Sequence, residues 1–210
     1  MFSVDDRVLN NPNETLEKKE LYLFQYLSNL EKDLEKTPTE LLKPYQSDLE
    51  KTLLNMHVNE PRPNFAIRKV LARCLVLVYK QGDPRSLFDS FVWLQNQLNT
   101  FSVKNQNVDA KLALVHTIGL MTFHHGSKLI SLFPETINLL VKIIKGVKDS
   151  ELTTRTQVLK AITISVKGAG KGVNEVMLKD LFKFAKYGLS DKYPCIKIAA
   201  ARVSIEKCKK

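Results

Sequence analysis

Residues 64–100 read NFAIRKVLARCLVLVYKQ GDP RSLFDSFVWLQNQLNT, and this stretch decides the fold. In its first part Ile67, Val70, Leu71, Cys74, Leu75, Leu77 and Val78 recur at three- and four-residue spacing, with Arg68, Lys69, Arg73 and Lys80 set among them. That is the period of an amphipathic α-helix, and it predicts one over about 64–81. Gly82-Asp83-Pro84 then stops one helix and starts another. Gly terminates, Asp accepts from free backbone N–H groups, and Pro fits the first turn. The following helix, about 84–100, is expected to bury Leu87, Phe88, Phe91, Leu94 and Leu98. So short a break makes the two helices antiparallel neighbours.

The pattern continues in both directions. Towards the N-terminus a helix is expected over about 13–36, with Leu16, Leu23, Leu27, Leu30 and Leu34 as its stripe and Phe24 beside them. Thr37-Pro38 breaks it. A helix over about 39–57 follows, in which Pro44 should produce a kink or delay the start. The two prolines of Asn59–Pro63 make a loop. Towards the C-terminus a polar loop covers 103–107, and the helix over about 109–125 is apolar all round, which places it centrally. Gly126-Ser127 is a turn, and 128–133 reads as a short helical continuation. Pro134-Glu135-Thr136 opens a helix ending near Val147. Others follow at about 151–167, 173–189 and 195–208. Gly168–Gly172 divides the first two of these, and a turn over 191–194 divides the last two.

Residues 1–12 read as a disordered arm and 13–210 as one domain. The class is all-α: an α-solenoid of about four antiparallel helix pairs, expected to wind as a right-handed superhelix. The last helix lacks the polar outer face of a capping repeat, so the chain reads as the N-terminal repeats of a longer array.

The chain has 210 residues, 44% of them hydrophobic and 26% charged, an ordinary globular composition. No apolar run approaches the ~20 residues of a membrane span. The polar, acidic start MFSVDDRVLNNPNE does not read as a targeting peptide. Three cysteines without metal spacing suggest a reducing compartment and no disulfide; Cys74 and Cys195 fall on apolar helix faces and read as buried thiols. Charge is uneven. Residues 1–140 hold 16 basic and 16 acidic residues, while 141–210 hold 16 and 6. A field of that sign favours anionic partners. Lys142, Lys145, Lys179, Lys183, Lys186, Lys192 and Lys197 are the candidate partner-binding basic face. The plainer reading of these lysines is a solvated, solubilising surface.

Nothing in the pattern reads as a reaction centre. His124-His125 are adjacent on a helix and point about 100° apart, so they make no two-ligand site. His57 and His116 read as surface or satisfied interior residues. Gly168-Ala169-Gly170-Lys171-Gly172 lacks the spacing of a phosphate loop and follows a helix, so it reads as a helix end and turn. The carboxylates are scattered over helix surfaces. Phe182, Phe184 and Tyr187 lie among Lys179, Lys183 and Lys186, a mixture that can bind single-stranded nucleic acid. Helical spacing explains it more simply, with Leu178, Leu181, Phe182, Ala185 and Leu189 facing inward. No catalytic, cofactor or metal residue is assigned.

The helix pairs repeat at about 40 residues, the period of HEAT repeats. The best match to that repeat is Leu189-Ser190-Asp191-Lys192-Tyr193-Pro194-Cys195-Ile196-Lys197-Ile198-Ala199-Ala200, with an Asp in the turn, a basic residue after it and a small Ala pair that lets helices approach. Further stretches are Arg68–Leu75 followed by Tyr79 and Gly82-Asp83, Lys111-Leu112-Ala113, and Phe133–Leu140. Taken in order over about 62–206, they resemble the N-terminal repeats of the HEAT repeat-containing protein five family, whose yeast member is the large clathrin-adaptor accessory protein. Thr100–Asp109 and Gly168–Gly172 depart most from the family pattern. The resemblance implies a non-catalytic scaffold in traffic between endosomes and the trans-Golgi network. Its partners would be the clathrin-adaptor complex and small accessory subunits, and it would be cytoplasmic and brought to membranes through them. Self-association as a homodimer is a further expectation. The alternative, drawn from charge alone, is a basic helical module for nucleic acid or anionic membranes.

Overall fold

Every regular element among the described residues is helical. The computed structural model describes residues 6–9, 11–104 and 107–208. The helices are α1 (Asp6–Leu9), α2 (Leu16–Lys36), α3 (Thr39–Asn55), α4 (Phe65–Gln81), α5 (Leu87–Lys104), α6 (Val108–His125), α7 (Phe133–Gly146), α8 (Leu152–Ala169), α9 (Glu175–Leu189) and α10 (Pro194–Cys208). Short 3-10 turns at Pro84–Ser86, Ile130–Leu132 and Gly170–Gly172 lead out of or into them. The chain forms two compact units, Met1–Gln97 with Asp109–Thr117, and Leu98–Val108 with Ile118–Lys210.

In the first unit α2 and α3 both pack on α4, and α2 makes the more extensive contact. Leu23, Leu27, Leu30 and Leu34 are the buried line of α2. They meet a helix that is buried on most sides, at Ile67, Val70, Leu71, Ala72, Cys74, Leu75, Val76, Val78 and Tyr79. The Cys74 thiol donates to the Leu27 carbonyl at 3.4 Å, and burial pushes its pKa up to about 12, which keeps it a protonated, unreactive core residue. Asn64 caps α4 by accepting from the Ala66 and Ile67 amides. The expected stop-and-start at 82–84 is present: the Gly82 amide closes α4 on the Val78 carbonyl, and Asp83 accepts from the Arg85 amide. That corner is held by α3. Gln46 accepts from the Asp83 amide at 2.7 Å and donates to the Asp83 carbonyl at 2.6 Å, while buried Glu50 accepts from Gln46 and Ser86.

His57 lies just past α3 and is fully buried. Its Nδ1 is 2.9 Å from the Leu53 carbonyl, which only accepts, so Nδ1 carries the proton. Its Nε2, 2.8 Å from Thr117 Oγ1, therefore accepts from that hydroxyl. Burial holds the ring pKa down at about 4 against an ordinary 6.5. The unfolded chain thus binds the proton first. Stability is full above about pH 6.5, falls as pH drops towards 4, and levels off below it. The shift is worth about 3 kcal/mol. Urea melts at pH 7 and pH 4.5 should show that loss shrinking in His57→Phe. A pH dependence identical in the two proteins would contradict the assignment.

In the second unit α7 packs on α8, α9 on α10, and α8 extensively on α10. α6 and the turn just after it approach α8 at two places. A methyl group at Gly119 would sit 3.0 Å from Ala161, and one at Gly126 would sit 2.6 Å from the Gly168 carbonyl. Ala199 and Ala200 are buried, and a methyl at Gly188 would meet Ala200 at 2.8 Å, so the Ala pair does allow α9 and α10 to close.

Several expectations change. Within the stretch read as a disordered arm, Asp6–Leu9 form a helical turn against α2, while residues 1–5 and 10 lie outside the described residues. Pro44 sits inside α3, which begins at Thr39 without delay. Leu16, the first residue of α2, is exposed. Phe88 is 41% exposed because the buried line of α5 is Leu87, Phe91, Leu94 and Leu98, and Phe88 lies 100° round from it. Cys195 is exposed for the same reason, beside the line Ile196, Ala199, Ala200 and Val203. In α9 only Leu181 and Ala185 are buried; Phe182 and Leu189 are exposed. The 103–107 loop is shortened because α5 runs to Lys104, and 105–106 lie outside the described residues. Gly168 belongs to α8; the turn begins at Gly170, whose φ of 54° is the left-handed value that favours glycine.

Candidate interaction surface

The seven candidate lysines all lie in the second unit, on α7, α9, α10 and the turn before α10. All are exposed, and they are not equivalent. Lys179 pairs with Glu175 at 3.0 Å, Lys183 with Asp180 at 3.3 Å, and Lys192 with Asp149 at 3.4 Å. Such exposed pairs add little stability, but they lower the charge free for a partner. Tyr193 and then Asp149 hold the Lys192 ammonium above its usual range. Lys142 donates to the Asn99 side chain at 3.4 Å. Among the described residues Lys145, Lys186 and Lys197 have no ionic partner.

The structure brings two of the seven, Lys145 and Lys183, to the edges of one groove. The groove runs between α7 and α9, over a floor that includes Leu159 of α8 and Ile196 of α10, and encloses about 820 Å³. Its walls are mostly apolar: Ile137, Val141 and Ile144 on one side, Met177, Phe184 and Tyr187 on the other. Tyr187 is 80% exposed at the lip. Asp149 and Asp180 also line the groove, each carrying its lysine partner. Lys179, Lys186 and Lys197 are not among its walls.

One end of the groove is set by Arg155. Its guanidinium is almost wholly buried, bonds Asp191 and lies 4.0 Å from Asp149. Asp191 also accepts from the Tyr193 amide at 3.0 Å, the capping role that its place in the turn suggested. Burial alone would raise the Asp191 carboxyl, but the Tyr193 amide and Arg155 outweigh it and hold it below the usual carboxylate range. Arg155 thus ties the turn after α7 to the turn before α10.

Of these walls the sequence singles out Phe184 and Tyr187, among the lysines of α9, but not the α7 side that faces them. The signal of both walls was present as apolar residues in excess of a single buried line: Val141 and Ile144 on α7, Phe184 and Tyr187 on α9, each pair three residues apart.

Among the described residues no group of three or more His, Cys, Asp or Glu could hold a metal ion. His125 is buried and His124 packs edge-on to Phe123. No helix of the described residues is long and apolar enough to cross a membrane. No family model matches the chain, and no solved structure matches it.

Proposed function

We propose that this chain is a non-catalytic protein-interaction scaffold, built as a HEAT-like α-solenoid and acting in clathrin-adaptor-dependent traffic between endosomes and the trans-Golgi network. The observation that carries the scaffold reading is the packing order. α2 packs on α4 in one unit and α8 on α10 in the other, each pair separated in sequence by a helix that packs on one of its members. Helices that contact their second neighbours in this way build repeat arrays whose work is to offer surface. The trafficking assignment rests on the ordered resemblance over about 62–206. The partners are the clathrin-adaptor complex and its small accessory subunits, with the chain cytoplasmic and recruited to membranes through them. Affinity purification with the chain as bait, followed by mass spectrometry, should recover adaptor or accessory subunits. Recovery of none of them would sink the assignment.

A second reading is favoured by charge. The second unit holds 18 basic and 7 acidic residues, a net +11, against 14 and 15 in the first. A nucleic-acid or anionic-membrane module would bind with affinity that falls by orders of magnitude between low and moderate salt. Anisotropy with labelled DNA and RNA at moderate salt tests it, and absence of binding there removes the nucleic-acid form.

A further inference from the structure

We propose that the groove between α7 and α9 is a docking site for an acidic amphipathic helix of a partner protein; this rests on the scaffold reading and names its partner class. The shape selects the occupant. The walls run from Pro134 to Lys145 on α7 and from Met177 to Gly188 on α9, about 16 Å of helix on each side. A volume of about 820 Å³ over that length gives a cross-section of about 50 Å². A helix with its side chains is about 10–12 Å wide, so the trough takes one face of about three turns and leaves the other face in water. Two helical walls receiving the apolar stripe of a third is a recurrent mode of recognition.

The walls supply the anchors. Val141, Ile144, Met177 and Phe184 are partly exposed inside the groove, and Tyr187 stands over them, the residue type that most often carries binding energy at such sites. Charge supplies the sign. Asp149 and Asp180 are neutralised by Lys192 and Lys183, and Arg155 by Asp191, which leaves Lys145 at the rim without an ionic partner among the described residues. The surrounding unit carries +11. A helix with acidic flanks meets this field favourably and a basic one is repelled. Phosphate-bearing ligands fit less well, because the floor is apolar and two of the three cations that line the groove are already engaged.

The test is selection of a phage-displayed library of random 16-residue peptides on the full chain, followed by anisotropy with synthetic copies of the enriched peptides. The expected peptides carry apolar residues at i, i+3, i+4 and i+7 and Asp or Glu on the flanks. Their affinity should fall at least about tenfold in Tyr187→Glu and in Lys145→Glu. Both positions are exposed, so both variants should keep the thermal melt of the parent. No enrichment, or enriched peptides indifferent to both variants, overturns the proposal. So does loss of binding to phosphatidylserine vesicles or to poly-uridine RNA in the same variants with no peptide selected. If adaptor subunits are still captured while the groove variants change nothing, the groove falls and the scaffold reading stands. If no subunit is captured by any form of the chain but the selected peptides sense both variants, the groove stands and its assigned partner falls.

Discussion

Gly168→Ala destabilises the second unit by about 3 kcal/mol, the upper end of the usual cost of overpacking, and Gly168→Val by more. Gly168 lies in the last turn of α8, directly against the end of α6. A methyl group there would lie 2.7 Å from the Phe123 carbonyl oxygen and closer still to the Thr122 carbonyl oxygen and the Phe123 Cα. These are backbone atoms that cannot rotate aside, so the two helix ends must separate. Helix propensity alone argues the opposite sign, since Gly→Ala inside a helix usually gains roughly 0.5–1 kcal/mol. Gly146, at the end of α7, is the control: nothing stands within 4 Å of a methyl group there. Gly146→Ala should be neutral or slightly stabilising. Thermal and urea melts of both variants decide the matter, and equal effects at 146 and 168 would falsify the close approach.

Arg155→Met costs about 3 kcal/mol. The lost bond itself is worth less than the state it leaves, an Asp191 carboxylate near the interior with only the Tyr193 amide and the neighbouring Lys192 charge to hold it. Asp191→Leu leaves the buried guanidinium with Asp149 at 4.0 Å as its remaining partner, and should cost a similar amount. The double variant Arg155→Met with Asp191→Leu replaces the pair by apolar groups of comparable size and should recover at least about 1 kcal/mol relative to the sum of the singles. Additive losses in that cycle would mean that the two side chains do not depend on one another. The pair also has a pH signature. Asp191 is held below the ordinary carboxylate range, so its contribution is present at neutral pH and is lost as pH falls through that depressed value. The acid limb of the stability curve should therefore be shallower in the double variant.

The helices were legible because their causes are local. Three- and four-residue apolar spacing, Asn64 and Asp83 as caps, and Pro84 and Pro134 in first turns act within a few residues of themselves. In α6, expected to be apolar all round, Ala110, Lys111, Leu112, Ala113, Leu114 and Val115 are buried in succession. Periodicity was less exact about which apolar residues are covered. Phe88, Phe182 and Cys195 each sit one step round from a buried line, and only the position of the neighbouring helix decides whether such a residue is core or surface.

Other features had no local cause to read. Gly168 reads as part of a helix end and turn, yet it lies inside α8 with its backbone against the end of α6. His57 looks like an isolated histidine until Thr117, sixty residues away, supplies its second hydrogen bond. The α7–α9 groove exists because each of those helices settles on its own partner, α8 or α10, leaving Ile144 and Phe184 facing a shared space. By itself the sequence determined where the helices are, what ends them and how charge divides along the chain, because those depend on spacing and composition. Tertiary structure alone decided which backbones touch, which titratable groups are dry and where an apolar surface is left open, because those depend on distances between residues far apart in the chain.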